Sequence, residues 1–223
     1  MSLPVETIRG LIVQGNEKLA AGIWHFDVPP IRTCPGRSKL CSSACYARKH
    51  HFNLQQVKDR LEWAFEQSKR NDFAEKMIDE IYRKGVLVFR WHVAGDCYSP
   101  AYAKKMFEVM KESPQCSFFL YTRSWRVQKI EPELRAMSFL RNAKVWYSAD
   151  EETGVPADLP ENVRVAWMQT ELDDEPAEVD LIFRVPKLRK MPLPLAVTVC
   201  PTETPAGKER GTTCSTCQLC WRG

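Results

Sequence analysis

No apolar run in this sequence approaches the roughly 18 residues that a membrane-spanning helix needs. The first ten residues, MSLPVETIRG, also lack the basic-then-apolar order of a secretion signal. Neither sign of charge dominates, because the chain has 32 basic and 28 acidic residues and a net charge of +4. We therefore expect a cytoplasmic protein that contacts no membrane, and the charge by itself does not indicate nucleic acid.

Wholesale disorder is excluded by a composition that is 44% hydrophobic and 27% charged. The length of 223 residues allows one domain, or a domain with a small appendage. The unusual feature is a count of nine cysteines. In a reducing compartment, cysteines in such numbers are metal ligands or catalytic groups more often than disulfide partners.

Short apolar segments rich in β-forming residues alternate along the chain with segments of helical periodicity. The predicted strands are residues 22–28, 86–93, 117–122, 144–148, 163–168, 179–185 and 195–199. Strand and helix in alternation indicate an α/β fold with a parallel sheet and crossover helices. Seven strands with four or five helices fit an incomplete or irregular (β/α) barrel. A doubly wound open sheet is the alternative, which the absence of a Gly-x-Gly-x-x-Gly motif after the first strand disfavours.

Two units are expected along the chain. Residues 1–199 would form the partial (β/α) barrel, and residues 200–223 a cysteine-rich C-terminal tail that binds metal. The tail shows no apolar period, so metal binding would have to supply the free energy that orders it.

The first group of cysteines lies in the loop that leaves the first predicted strand. Cys34, Cys41 and Cys45 fall within twelve residues of one another, on the side of a parallel barrel where active sites form. Three thiolates on one loop suit an iron–sulfur cluster that keeps one iron open to a further ligand. A structural zinc loop, or cysteines buried without a metal, are the alternatives.

The second group is Cys200-Pro201 followed by Cys214-x2-Cys217-x2-Cys220. This spacing is the ligand pattern of a ferredoxin-type [4Fe–4S] cluster, with the distant Cys-Pro moved to the N-terminal side. Zinc accepts four thiolates as well and is the alternative metal for this group. Two cysteines remain, Cys97 beside a predicted strand end and Cys116 as a core residue.

Functional side chains of a parallel barrel lie where its strands end. This rule selects Asp96, Ser99, Tyr121 and Ser148 as cofactor-binding residues. It also selects a wider set of polar strand-end residues, namely His92, Thr122, Arg123, Ser124, Asp150, Gln169 and Arg184. None of them is assigned a catalytic role from the sequence.

Several segments resemble known families. The loop with Cys41-x3-Cys45 followed by Tyr46 resembles the cluster loop of radical S-adenosylmethionine (SAM) enzymes, although its third cysteine, Cys34, lies upstream. Gly95-Asp96 is similar to the Gly-Gly-Glu motif of that superfamily. A narrower resemblance, to small phage-encoded proteins with radical-SAM-like features, rests on segments across most of the chain: residues 26–30, Cys34-Pro35, residues 45–47, His92-x2-Gly-Asp96, residues 121–124 and the cysteine-rich C-terminus.

The resemblance implies a partial barrel of the radical SAM type and one or two [4Fe–4S] clusters. It also implies that Gly95 and Asp96 hold the amine of SAM, which would be cleaved reductively to act on a substrate that the sequence does not identify. A reductant protein and the host cytoplasm follow from the same resemblance. The alternative function is a non-enzymatic iron–sulfur or zinc protein that serves a structural or partner-binding role, with nucleic acid as one partner class.

Overall fold

The computed structural model describes residues 10–174, 176, 178–193 and 197–222. Its strands form one seven-stranded sheet whose order follows the chain. They are β1 (Val13–Gln14), β2 (Ile23–Phe26), β3 (Val88–Trp91), β4 (Ser117–Thr122), β5 (Ala143–Ala149), β6 (Val163–Gln169) and β7 (Leu181–Arg184). The predicted mixed α/β fold is thereby confirmed.

Strand β1 pairs with β2 in antiparallel orientation, and every later pair of neighbours is parallel. The register sets Phe26 beside Trp91 and Trp91 beside Leu120, so the strands end together along one edge, here called the carboxyl edge. A doubly wound sheet reverses its strand order at a switch point. This order contains no reversal, so the doubly wound alternative is wrong.

Helices on one face of the sheet connect β2 to β5 and bury most of the apolar surface. In chain order the α-helices are α1 (Lys39–Ala44), α2 (Gln55–Lys69), α3 (Phe73–Arg83), α4 (Pro100–Lys111), α5 (Glu131–Ser138), α6 (Pro205–Glu209) and α7 (Cys214–Cys217). Helices α2 to α5 contribute to the main core, whereas α6 and α7 belong to the C-terminal segment. Met77 of α3 and Met106 of α4 pack with Phe89, Trp91 and Phe118 of the sheet in the main core. We call this side the helix face.

The C-terminal segment covers the opposite face of the sheet, here called the tail face. Trp221 is 9% exposed and stacks on Phe119 of β4, with ring centroids 5.2 Å apart. Cys200 packs with Trp146 and Leu181 in a second apolar cluster on this face. Hydrophobic packing therefore contributes to the order of a tail that was expected to depend on metal alone.

Two details of the strands differ from the prediction. Strand β1 was not predicted, because two residues are too few to show a period. Residues 195 and 196 of the strand predicted at 195–199 lie outside the described residues, and Val199 makes a single parallel bridge to Ile182. No helix among the described residues is long and apolar enough to cross a membrane.

Candidate metal centres and the adjoining cleft

The loop that leaves β2 carries Cys34, Cys41 and Cys45 across the carboxyl edge; we call these the loop cysteines. Helix α1 begins after Ser38, whose Oγ accepts a hydrogen bond from the Cys41 amide at 2.8 Å. The same hydroxyl donates to Oδ2 of Asp150, a buried residue that follows β5, at 2.6 Å. One serine thus begins the helix and fastens the cysteine loop to the end of a distant strand.

Two glycines let this loop lie directly on neighbouring backbone. A Cβ on Gly36 would overlap the carbonyl oxygen of Arg123, which follows β4. Gly95 has φ of +79°, and a Cβ there would lie 2.5 Å from the carbonyl oxygen of Val28. Any larger residue at these positions would push the loop away from the strand ends.

Asp96 joins the ends of β3 and β4 through its carboxylate. Oδ1 accepts hydrogen bonds from Thr122 Oγ1 at 2.6 Å and from the Cys97 amide at 2.7 Å, and Oδ2 accepts from the Arg123 amide at 2.8 Å. Burial raises the pKa of Asp96, and these hydrogen bonds oppose the shift. Arg123 in turn pairs with Asp150 at 2.9 Å, so charged groups close the edge beneath the loop.

The loop cysteines lie within electrostatic reach of one another and of Asp96. Burial raises the pKa of Cys34 to about 12, and the negative charges of Asp96, Cys41 and Cys45 act in the same direction. Burial also raises the pKa of Cys41, while the guanidinium of Arg123 opposes that shift. Cys34 and Cys41 are therefore neutral thiols near pH 7, and a metal would have to displace their protons.

The second group lies on the tail face and comprises the tail cysteines, which are Cys200, Cys214, Cys217 and Cys220. The Cys200 amide donates to the carbonyl of Ile182 in β7 at 2.8 Å. Helix α7 begins at Thr213 with a reciprocal pair of side-chain caps, and the Cys214 amide donates to the carbonyl of Lys18 at 2.9 Å. The tail is thereby pinned both to the last strand and to the hairpin of β1 and β2.

Cys220 makes the most direct contact between the tail and the sheet. Its sulfur accepts a hydrogen bond from the Tyr121 hydroxyl at 2.8 Å, and its carbonyl accepts one from Trp146 Nε1 at 3.0 Å. Burial raises the pKa of Cys220 to about 11; Cys214 and Cys200 act in the same direction, and Tyr121 opposes it. Cys220 thus holds the end of the tail against β4 and β5.

A cation lies beside the tail cysteines without a carboxylate partner. The Arg90 guanidinium of β3 lies 5.5 Å from the ring centroid of Tyr121 and 6.0 Å from that of Phe119. In the part of the chain that the structure describes, no carboxylate comes within ion-pair distance of it. Burial opposes its charge, but neighbouring phenol and thiol groups, those of Cys214 and Cys220 among them, raise the pKa of Arg90.

A cleft of about 1200 Å³ is lined by residues that adjoin both groups of cysteines. Tyr46, next to Cys45, lies on one of its walls, and Thr213, next to Cys214, on another. His25 and Asp27 also line it and form an ion pair with Nδ1 and Oδ2 2.7 Å apart. The cysteines themselves are not among the residues that line this cleft.

The structure separates the residues that the sequence placed in one cofactor site. Gly95 and Asp96 lie beside the loop cysteines, whereas Tyr121 lies with the tail cysteines. Ser99 caps α4, its Oγ accepting from the Tyr102 amide at 3.2 Å, which is a structural role. The Ser148 carbonyl accepts a hydrogen bond from Trp125 Nε1 at 2.9 Å.

Three further candidates belong to the helix-face side of the molecule. His92 is buried, and its Nε2 lies 2.9 Å from the Tyr102 hydroxyl, so it is a hydrogen-bonded core histidine. Burial lowers the pKa of His92 to about 4, which keeps the ring neutral near pH 7. Cys97 and Cys116 are buried, unpaired thiols of the main core.

Sequence reasoning missed Arg90, Lys18 and the His25–Asp27 pair. A signal for Arg90 was available, since it is the one charged residue within the predicted strand at 86–93. Lys18 gave none, because its partner, Glu203, is 185 residues away in sequence. Their Nζ and Oε1 atoms lie 3.1 Å apart in the structure.

All nine cysteines are unpaired. As the side chains stand, no three or more His, Cys, Asp or Glu residues of the described ranges surround a point where a single metal ion could bind. The chemistry of the donor set nevertheless fits an iron–sulfur cluster, because each group consists of soft thiol ligands. The tail cysteines also lie beside Arg90 and Lys18, whose charges would offset the negative charge of a cluster.

Comparison with known proteins shows the family to which this chain belongs. The model of the family described as "Gene product 88" matches residues 10–223. The chain belongs to the gene product 88 family of phage proteins. The Gene 88 protein of Mycobacterium phage L5 is 28% identical over 205 residues, covering 86% of this chain and 79% of the relative. The Gene 88 protein of Mycobacterium phage D29 is 26% identical over 204 residues, with the same coverage.

No solved structure matches the chain. Membership in the gene product 88 family confirms the phage part of the resemblance stated from the motifs. The resemblance to radical SAM enzymes rests on the motifs of this chain alone.

Proposed function

We propose that this phage protein is an iron–sulfur protein with two [4Fe–4S] clusters. The observation that carries the proposal is the arrangement of seven unpaired cysteines in two separate groups, each held to the sheet by its own hydrogen bonds. Cys34, Cys41 and Cys45 would hold one cluster. The tail cysteines would hold the other.

The surroundings of the tail cysteines support an anionic cluster there. A cubane bound by four thiolates carries net negative charge, so nearby cations stabilise it in a partly buried site. Arg90 lies next to Cys214 and Cys220, and Lys18 acts electrostatically on Cys200 and Cys214. The Tyr121 hydroxyl would also donate a hydrogen bond to the ligand sulfur of Cys220, an interaction that tunes cluster potential.

The loop cysteines support a cluster with an open iron, because three thiolates leave one coordination position for a further ligand. Their position at the carboxyl edge of a sequentially ordered parallel sheet is the place where a partial (β/α) barrel binds its substrates. When bound, such a cluster would supply an electron for reductive cleavage of SAM. We therefore include a radical SAM-like activity in the proposal, with a reductant protein of the host cytoplasm as electron donor.

The surroundings of Asp96 favour a second candidate function, in which the clusters serve structure or partner binding without SAM. Three hydrogen bonds from its own chain already occupy the Asp96 carboxylate, and the residue is 5% exposed. A carboxylate so engaged is a positioning group for the ends of β3 and β4. Zinc at the tail cysteines belongs to this second candidate, since four thiolates also suit that metal.

The two groups of cysteines are tested separately by substitution. After anaerobic reconstitution, the triple variant Cys34→Ala, Cys41→Ala, Cys45→Ala should lose about half of the iron of the wild-type chain if each group holds one cubane. The double variant Cys97→Ala, Cys116→Ala is the matched control, because it removes the two cysteines outside both groups and should keep all the iron. Loss of all the iron in the triple variant would contradict two independent clusters.

SAM is tested on the reconstituted, reduced protein. Binding at the open iron should change the electron paramagnetic resonance spectrum of the loop cluster, and the tail-cluster variant Cys217→Ala should show the same change. A spectrum that SAM leaves unaltered, together with no heat of binding in calorimetry, would reject the radical SAM activity and leave the non-enzymatic candidate.

A further inference from the structure

The charges that line the cleft are predominantly positive. Five lysine and arginine residues line the cleft, compared with three aspartate and glutamate residues. Glu203 pairs with two of these cations, its Oε1 lying 3.1 Å from Lys18 Nζ and 3.0 Å from Arg189 Nη2. Arg90 and Lys208 have no carboxylate at ion-pair distance among the described residues, so the cleft retains positive charge that the chain itself does not balance.

One wall of the same cleft is aromatic. Tyr46, His51 and Phe52 all line it, and their rings contact one another, with centroids 6.1 Å apart for Tyr46 and Phe52 and 4.3 Å apart for His51 and Phe52. Tyr46 is 54% exposed and Phe52 is half-buried, so the cluster keeps ring surface open to the cleft. An accessible ring beside a cation is the arrangement on which unstacked nucleobases bind.

We propose that this cleft binds a nucleotide-type ligand, whose phosphate meets Arg90 and Lys208 and whose base stacks on the ring of Tyr46. The proposal rests on the cleft and does not require either cluster. A volume of about 1200 Å³ exceeds the range of about 300–1000 Å³ typical of small-ligand pockets. It therefore admits a free nucleotide and equally a short stretch of single-stranded nucleic acid, two sources of the same chemistry.

Binding is measured on the full, anaerobically purified chain with AMP, adenosine, pyrophosphate and a short fluorescein-labelled single-stranded oligonucleotide. AMP should bind at least about tenfold more tightly than adenosine or pyrophosphate, because only AMP combines a phosphate with a base. Competition of AMP against the oligonucleotide shows whether both sources use the cleft. A duplex of the same sequence should bind more weakly, because its bases are already stacked.

Two pairs of variants locate the site. Lys208→Glu should weaken binding about tenfold, whereas Lys129→Glu, an exposed lysine outside the cleft, should not. Tyr46→Ala should weaken binding of AMP by a similar factor, and Tyr82→Ala is its control. The two tyrosines are 54% and 53% exposed, and each donates its hydroxyl proton to a backbone carbonyl.

Three results would overturn the proposal. The first is equal affinity for AMP and pyrophosphate. The second is equal affinity for the oligonucleotide and for polyglutamate, which is measured alongside as a polyanion without bases. The third is an equal effect of the cleft variants and their controls. Iron content is determined for every variant, because Tyr46 adjoins Cys45. Lost binding with unchanged iron concerns the cleft, and lost iron concerns the proposed clusters, so the two failures are distinguishable.

Discussion

Residues at the carboxyl edge pack so closely that few of them can be replaced by a larger residue without a loss of stability. Gly95 shows two such constraints together, a φ of +79° and an approach to Val28 and Thr33 that leaves no room for a Cβ. Gly154 has a similar φ of +66°, but a Cβ added there would meet no atom within 4 Å. Comparing substitutions at Gly95 and Gly154 therefore separates the cost of backbone strain from the cost of steric overlap.

The first prediction concerns Gly95→Ala. It should lower the free energy of unfolding by about 1–2 kcal/mol for the left-handed backbone and by about 1–3 kcal/mol more for the overlap. Gly154→Ala should show only the backbone part. Urea unfolding of both variants measures the difference, and equal losses would show that the loop at Val28 moves aside without cost.

The second prediction concerns His25 and pH. Burial opposes protonation of His25, but the Asp27 carboxylate outweighs it and raises the His25 pKa, while the same pair lowers the pKa of Asp27. The pair should therefore stabilise the fold fully at pH below the ordinary histidine value of about 6.5 and above that of aspartate, about 3.9. The contribution is lost as pH rises through the raised His25 pKa.

The measurement is the free energy of unfolding of wild type and His25→Gln between pH 5 and pH 9, as a difference at each pH. The difference should shrink as pH rises. His51→Gln, at an exposed histidine, is the control and should give no such trend. A difference for His25→Gln that stays constant across the range would contradict a stabilising ion pair.

At this scale the sequence identified the cysteines and Gly95-Asp96, because motifs lie close together along the chain. It could not identify the partners that hold them. Ser38 and Asp150 are 112 residues apart in sequence, and only the fold brings them to 2.6 Å. The strand-end rule selected Ser99 as a cofactor-binding residue, but Ser99 lies beyond the end of β3 at Trp91, and its hydroxyl caps α4, as the Ser99-Pro100 pair itself indicates.

Among the elements, the long periodic ones were predictable and the short ones were not. Apolar residues at helical spacing over 54–65 and 73–81 predict one helix in each range. The structure has α2 and α3 there, and their fifteen and eleven residues are long enough to show a period. The tail contains α7, a helix of only four residues, and Trp221 of the tail stacks on Phe119 of β4, a contact between residues far apart in sequence. The sequence therefore indicated a tail ordered by metal alone, whereas the structure also shows apolar packing of the tail on the sheet.

The third prediction tests that packing. Trp221→Ala removes a ring that is 9% exposed, and it should lower the free energy of unfolding by about 3–5 kcal/mol. It should also expose residues 200–222 to limited proteolysis before the rest of the chain. Trp125→Ala, which removes a ring stacked on Tyr147 away from the tail, is the control. Cleavage of the tail at the same rate in both variants would contradict a tail held by Trp221.

The molecule is a mostly parallel sheet with helices on one face, the cysteine-bearing tail on the other face and the loop cysteines across its carboxyl edge. The sequence predicted the mixed α/β fold from alternating strands and helices. It did not predict that residues adjoining both groups of cysteines line one cleft, because that depends on how the tail returns over the sheet. The central claim at this scale is that each group holds its own iron–sulfur cluster.

The most direct test of that claim is iron, acid-labile sulfide and zinc analysis of the intact chain, purified without oxygen. Two cubane clusters predict about eight iron and about eight sulfide per chain, with little zinc. About four iron with matching sulfide would show a single cluster, and zinc with no sulfide would show a zinc protein. Either of those results would contradict the two-cluster account.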